Sequence, residues 1–203
     1  MSENQRRVLV LFAHPQADRS QTAAVLARDA AEMEGVTVVD LYAEYPDLAV
    51  DPDREQARAA EHEAVIFLFP VFWYSTPALL KEWQDLVLEY GWAYGEGGDK
   101  LAGKIFFCAV SAGGPESAYA QGGYNNFTLP ELFRPLEQTA ALCGMDWLPP
   151  FALFASRQAL DDGRAETHRA DWARLLTGLR DGALDLEKAR KAALLNHFIA
   201  GEA

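Results

Sequence analysis

Five short apolar runs, each set apart from the next by a stretch long enough for a helix, constrain this chain more than any other feature. They are "RVLVLFA" (7–13), "VTVVDL" (36–41), "AVIFLF" (64–69), "KIFFCAV" (104–110) and a strand within "WLPPFALF" (147–154). Successive side chains of a strand point to opposite faces, so a run without polar alternation has to be covered on both sides. The intervening stretches supply the cover. From Ser20, "SQTAAVLARDAAEM" places Ala23, Leu26, Ala27 and Ala30 at helical spacing, with Ser20 or Asp18 as its cap. "DREQARAAEHE" (53–63) reads as a polar surface helix. "PALLKEWQDLVLEY" (77–90) opens with Pro77 at the first helical position, and "LPELFRPLEQTAALCG" (129–144) reads as one helix. Strand–helix alternation predicts an α/β, three-layer parallel sheet, because right-handed crossovers place helices on both faces. For five strands the usual winding is 2-1-3-4-5, with a ligand at the switch point between strands 1 and 3.

At 203 residues, with no repeat or linker, the chain is expected to form one domain over 1–181 followed by a helical extension over 182–203. Leu184, Leu186, Ala189, Ala193 and Leu194 fall at roughly helical spacing there, which predicts a final helix against the body or a second subunit. A net charge of −12 argues against nucleic acid and anionic membrane as main partners. Cys108 and Cys143 form no C-x-x-C pair and read as buried thiols of a reducing cytosol, and no metal-ligand spacing occurs. Only six apolar residues precede His14 and Pro15, too few for a signal core, and no stretch approaches a membrane span; a cytoplasmic location is expected.

In a parallel sheet all carboxyl ends lie at one edge, so the loops after strands 1, 3 and 4 converge. The first, "AHPQADRSQTA", leads into a helix whose free amides suit an anion, with Ser20, Gln21 and Thr22 as further donors. His14 lies in this loop and reads as a phosphate contact. The second, "FPVFWYSTP", displays Phe72, Trp73 and Tyr74 where a flat ring would bind. The third, "SAGGPESAYAQGGYNNFT", sets Gly113 and Gly114 where backbone amides can approach a ligand, with Tyr119 and Tyr124 as pocket walls. FMN meets all three requirements: a phosphate, a planar ring, and a ring edge that becomes negative on reduction and is stabilised by amide donors. No G-x-G-x-x-G, G-x-x-x-x-G-K-[ST] or G-x-S-x-G occurs, which sets aside dinucleotide-fingerprint, P-loop and α/β-hydrolase readings.

"VLFAHP", "FWYSTPALLKEWQD", "GWAYGEGGDKLAGK", "AVSAGGPE" and "CGMDWLPPF" together resemble the flavodoxin-like NAD(P)H:quinone oxidoreductases. Within them the chain is most similar to the ancillary subunits of glutathione-gated potassium efflux systems, and more distantly to DT-diaphorase. The resemblance implies a homodimer, a non-covalent flavin (FMN, with FAD the alternative), NADPH or NADH as co-substrate, and ping-pong hydride transfer through flavin N5 to a quinone. Flavin contacts are implied at His14, Ser20, Gln21, Thr22, Ala23, Val71, Phe72, Trp73, Tyr74, Ser111, Ala112, Gly113 and Gly114. Tyr119 is the candidate catalytic residue, as proton donor to a quinone oxygen or as pocket wall. The loop after strand 4 has no histidine, unlike the ancillary subunits and DT-diaphorase.

Two other functions follow from the same residues: a regulatory subunit of a membrane potassium efflux transporter, peripheral at the inner membrane, or a flavodoxin-type electron carrier. His62, His168 and His197 read as structural. Trp83, Leu86 and Val87 read as core or dimer interface, and Trp92 and Tyr94 as loop packing or subunit contact.

Overall fold

The structure is a computed structural model and describes residues 5–201. The expected domain and extension reach to residues 1 and 203, and those ends lie outside the described residues. Strands β1 (Val8–Phe12), β2 (Val36–Asp40), β3 (Ala64–Pro70) and β4 (Ile105–Ser111) are parallel, and β5 (Asp146–Trp147) and β6 (Phe151–Leu153) both pair with β4. Their order, β2-β1-β3-β4-β5, is the flavodoxin-type winding expected from the alternation. Every residue of β1 and β3 is buried, and two apolar clusters cover the two faces of the sheet.

The last strand is broken in two rather than continuous. The Leu148 N–H still donates to the Phe106 carbonyl (2.9 Å), but Pro149 and Pro150 have no amide hydrogen, so pairing lapses until Phe151.

Helix α1 (Ala23–Ala31) buries Ala23, Leu26, Ala27 and Ala30, and begins after a 3-10 turn at Ala17–Arg19. Asp40 caps α2 (Leu41–Glu44) and Asp51 caps α3 (Pro52–Ala60). The expectation of a wholly polar surface helix fails at α3. Glu55 is 0% exposed, and its carboxylate accepts from the Tyr45 hydroxyl (2.8 Å) and Trp83 Nε1 (2.8 Å) and pairs with Arg58. Burial followed by this hydrogen bond pushes the Tyr45 phenol up to about 12.

In α4 (Ala78–Val87), Trp83 and Val87 join the core while Leu86 is 37% exposed. Pro77 is the cap, with extended backbone, rather than the first helical residue. The single helix expected over 129–144 is α5 (Leu129–Leu132) and α6 (Arg134–Leu142), interrupted at Phe133. Pro135 has no N–H for the carbonyl of Glu131 and its ring crowds the preceding turn.

Helix α7 (Gln158–Asp161) was not expected, and α8 (Arg164–Arg180) was expected only as a helix around His168, without bounds. The apolar residues of α8 cluster in its second half, where Trp172, Leu175, Leu176 and Leu179 are buried. Trp172 Nε1 donates to the Leu26 carbonyl of α1 (3.1 Å). The tail forms two short helices, α9 (Leu186–Ala189) and α10 (Leu195–Ala200), rather than one. It lies against the body: the Leu195 N–H donates to the Pro150 carbonyl (2.9 Å), and Asn196 bonds both the amide and carbonyl of Ala152 (2.8 and 3.1 Å).

His62 and His168 are buried in structural roles. The former bonds Thr37 and Arg58; the latter stacks on Phe151 with ring centroids 4.0 Å apart. Cys108 and Cys143 are free and buried, and burial pushes both thiols up. Among the described residues no helix is long and apolar enough to cross a membrane.

Candidate functional site at the carboxyl edge of the sheet

The aromatic stretch after β3 forms a two-residue turn. Phe72 and Ser75 exchange two backbone hydrogen bonds (3.1 and 3.0 Å), and between them Trp73 and Tyr74 have φ of 48° and 65°. Positive φ at both central positions is the signature of a type I′ turn, which normally selects Asn-Gly. Two bulky aromatics there are held against their own sterics at a cost of order 1–2 kcal/mol each. The core reading of these side chains is therefore set aside: Trp73 is 92% exposed and Phe72 and Tyr74 are about half exposed. Strain of this kind persists only where the surrounding structure over-determines it, and such residues cluster at active sites and ligand clamps.

The neighbouring loop after β1 is joined to this turn by His14, whose ring meets Phe72 edge-on at 6.2 Å. His14 Nδ1 accepts from the Gln16 N–H (3.1 Å), which leaves the hydrogen on Nε2, and burial keeps the ring's pKa below the usual histidine range. It is a neutral donor. The N-cap of α1 is Thr22, without a side-chain cap bond, rather than Ser20 or Asp18, but Ser20 Oγ accepts from the first-turn Ala24 N–H (3.1 Å). The amides of Gln21, Thr22 and Ala23 have no hydrogen-bond partner among the described residues. Three orphan N–H groups at the positive end of a helix are donors that could accept an anion.

The loop after β4 contributes through its backbone. Ser111 accepts the Val71 N–H (2.9 Å), and Ala112 spends its N–H on Leu153 and its carbonyl on Ser156. Ala112 and Val71 therefore have no amide left for a ligand. The N–H groups of Gly113 and Gly114 are unpartnered among the described residues. Neither glycine has positive φ, and a Cβ on Gly113 would meet nothing within 4 Å, so a tight turn does not require them. What a side chain there would occupy is the adjoining open space.

That space is a hollow of about 610 Å³ whose walls include Val71, Trp73, Tyr74, Gly113, Gly114 and Tyr119. Tyr119 packs on Phe154 (5.4 Å) and lies 3.4 Å from a Cβ built on Gly114; burial first, then Tyr74, keeps its phenol protonated above its usual range. His14, Ser20, Ala23, Phe72, Ser111 and Ala112 lie outside this hollow, and Gln21 and Thr22 line a separate one between α1 and α8. Sequence reasoning missed Asn125. It lines the hollow and accepts from the Tyr74 hydroxyl (3.3 Å), tying the strained turn to the loop after β4. Asparagine in a polar loop carries no periodicity that would single it out.

A doubly covered parallel sheet wound 2-1-3-4-5, with the loops after β1 and β3 at its switch point, defines an open, doubly wound α/β protein. The chain belongs to the family described as flavodoxin-like fold, which matches residues 6–176. It is 45% identical over 163 residues to the glutathione-regulated potassium-efflux system ancillary protein KefG of Cronobacter sakazakii, covering 80% of this chain and 89% of that one. Among solved structures it is similar to general stress protein 14 of Treponema denticola in complex with FMN, with TM-score 0.78 and 35% identity over 85% of this chain and 99% of that one. It is also similar to the NADPH-quinone reductase of P. pentosaceus, with TM-score 0.72 and 30% identity over 88% and 98%.

Proposed function

We propose that this protein is an FMN-dependent NAD(P)H:quinone oxidoreductase of the cytoplasm, acting as a homodimer. The observation that carries the reading is the strained Trp73–Tyr74 turn after β3, with unpartnered amides in the loops that follow the two flanking strands, β1 and β4. The similarity to an FMN complex and to an NADPH-quinone reductase supports it.

The donor set fits the cofactor. The amides of Gln21, Thr22 and Ala23 would hold the phosphate, with His14 Nε2–H as a further donor. Phe72, Trp73 and Tyr74 would seat the ring, and the Gly113 and Gly114 amides would face the ring edge that gains negative charge. FMN supplies the capacity to accept a hydride and pass it on, which no side chain here has. The chain's own residues would position the ring in the hollow, where nicotinamide and quinone would take turns. Tyr119, kept protonated, donates its proton toward a quinone oxygen. Exposed Trp73 and Tyr124 at the wall of the hollow suit a dimer contact there. Residues 1–181 are the flavodoxin-like unit in this reading, and 182–203 its extension.

The test is to purify the protein, identify any bound yellow cofactor, and measure NADH and NADPH oxidation with and without a benzoquinone. A colourless protein that neither FMN nor FAD stabilises refutes the reading. A stable blue semiquinone with no NAD(P)H oxidation would mark an electron carrier instead.

A second reading is favoured by the 45% identity to a potassium-efflux ancillary protein: the chain docks on a membrane potassium efflux transporter and regulates it. Co-purification with such a transporter supports this role; unchanged potassium efflux after deletion counts against it.

A further inference from the structure

A second hollow, of about 430 Å³, lies on the other side of Tyr119 from the one just described. Its apolar walls are Leu129, Trp147, Pro149, Pro150, Phe154 and Leu194. Three separate features create it. The prolines that interrupt the last strand leave Trp147 at a broken edge, against Phe106 at 5.4 Å. The start of α5 supplies Leu129. The tail, beyond the residues matched by the family, closes the third side: Asn196 bonded to Ala152, Leu195 bonded to Pro150 and Arg190 paired with Asp146 hold Ala192, Ala193 and Leu194 in place.

The charged groups at the rim are already matched within the protein. Arg134 pairs with Glu137 (2.6 Å) and Arg190 with Asp146 and Glu187, while His197 Nε2 lies 3.5 Å from a Glu116 carboxylate oxygen. An ionic ligand would compete with these pairs for the same side chains, whereas an uncharged apolar group would only displace water from aromatic and proline surfaces. The two hollows meet at Tyr119 and the turn Glu116–Ala118, whose residues are divided between them. Resting on the quinone reductase reading, we propose that this second hollow holds the hydrocarbon substituent of the quinone, so that the acceptor is a lipophilic, alkyl-substituted quinone whose ring lies by Tyr119.

The experiment compares tetramethyl-1,4-benzoquinone with the analogue in which one methyl is replaced by an n-decyl chain. Wild-type protein turns over the decyl compound with kcat/KM about tenfold higher or more, as burial of a few methylenes requires. Ala193→Trp, at an exposed wall position that tolerates a large side chain, fills the hollow and abolishes that preference, with the tetramethyl rate as internal comparison. Ala192→Glu is the second variant should the first fail to fold. Equal kcat/KM for the two quinones in wild type, or a preference that survives in both variants, overturns the proposal. Should no quinone be reduced, the reductase reading falls, and calorimetric titration with the same two compounds decides on the hollow alone. Tighter binding of the decyl compound that is lost in Ala193→Trp upholds it; equal binding sinks it.

Discussion

Replacing Trp73 by asparagine separates what the aromatic turn costs the fold from what it provides for a ligand. Trp73 has φ of 48° and is 92% exposed, so its ring contributes almost no burial. A fully buried tryptophan hides about 200 Å²; less than a tenth of that is at stake, or about 0.5 kcal/mol at ~25 cal/mol per Å². Against this stands a left-handed backbone penalty of about 1–2 kcal/mol, most of which asparagine avoids because its short polar side chain tolerates that region. The expected net effect is a gain of about 1 kcal/mol in the cofactor-free protein, or a rise in Tm of roughly 2–4 °C for a domain of this size. Flavin affinity should move the other way, falling by about tenfold, or ~1.4 kcal/mol, for loss of a ring contact. Thermal melts without cofactor and fluorescence titration with FMN read the two effects independently. A lower melting temperature would show that Trp73 is packing in the fold, and an unchanged FMN affinity would show that the strained turn does not seat the ring.

Further outcomes are expected elsewhere. Gly113→Ala should leave stability within about 0.5 kcal/mol, since its methyl meets no protein atom within 4 Å and φ is not positive, yet weaken FMN binding measured by titration. Tyr74→Phe and Asn125→Leu each remove the bond between the turn and the loop after β4; in a double-mutant cycle on kcat/KM the second change should add little to the first. Burial lowers His168 to about 4, below its unfolded value, so the unfolded state binds the extra proton between these values. The stability contributed by neutral His168 is then fully present above about pH 6.5 and lost as pH falls toward about 4, up to roughly 3 kcal/mol. Urea melts across that window should show a flatter pH dependence in His168→Phe, and an unchanged slope would mean His168 is protonated in the folded state.

The alternation of apolar runs with helical stretches was enough to determine a covered parallel sheet and its winding, because burial on both faces forbids polar alternation in β1 and β3. It also brought the loops at Ser20, Trp73 and Gly113 to one edge, since parallel strands share their direction. Other features depended on partners distant along the chain. Glu55 lies in a stretch as polar as any surface helix, and only Tyr45, Trp83 and Arg58, assembled around it, make its burial tolerable. Helix α8 has its apolar residues bunched in one half, so periodicity did not reveal it; Leu26 and the sheet determine which side is buried.

The site divides in the same way. Which loops gather at the carboxyl edge of the sheet was legible, but the conformation of the aromatic turn was not, because Trp-Tyr is not a turn sequence and local preference opposes the backbone it adopts. Only the paired ends at Phe72 and Ser75, held at the end of β3 and bonded onward through Tyr74 to Asn125, can keep two aromatics in the left-handed region.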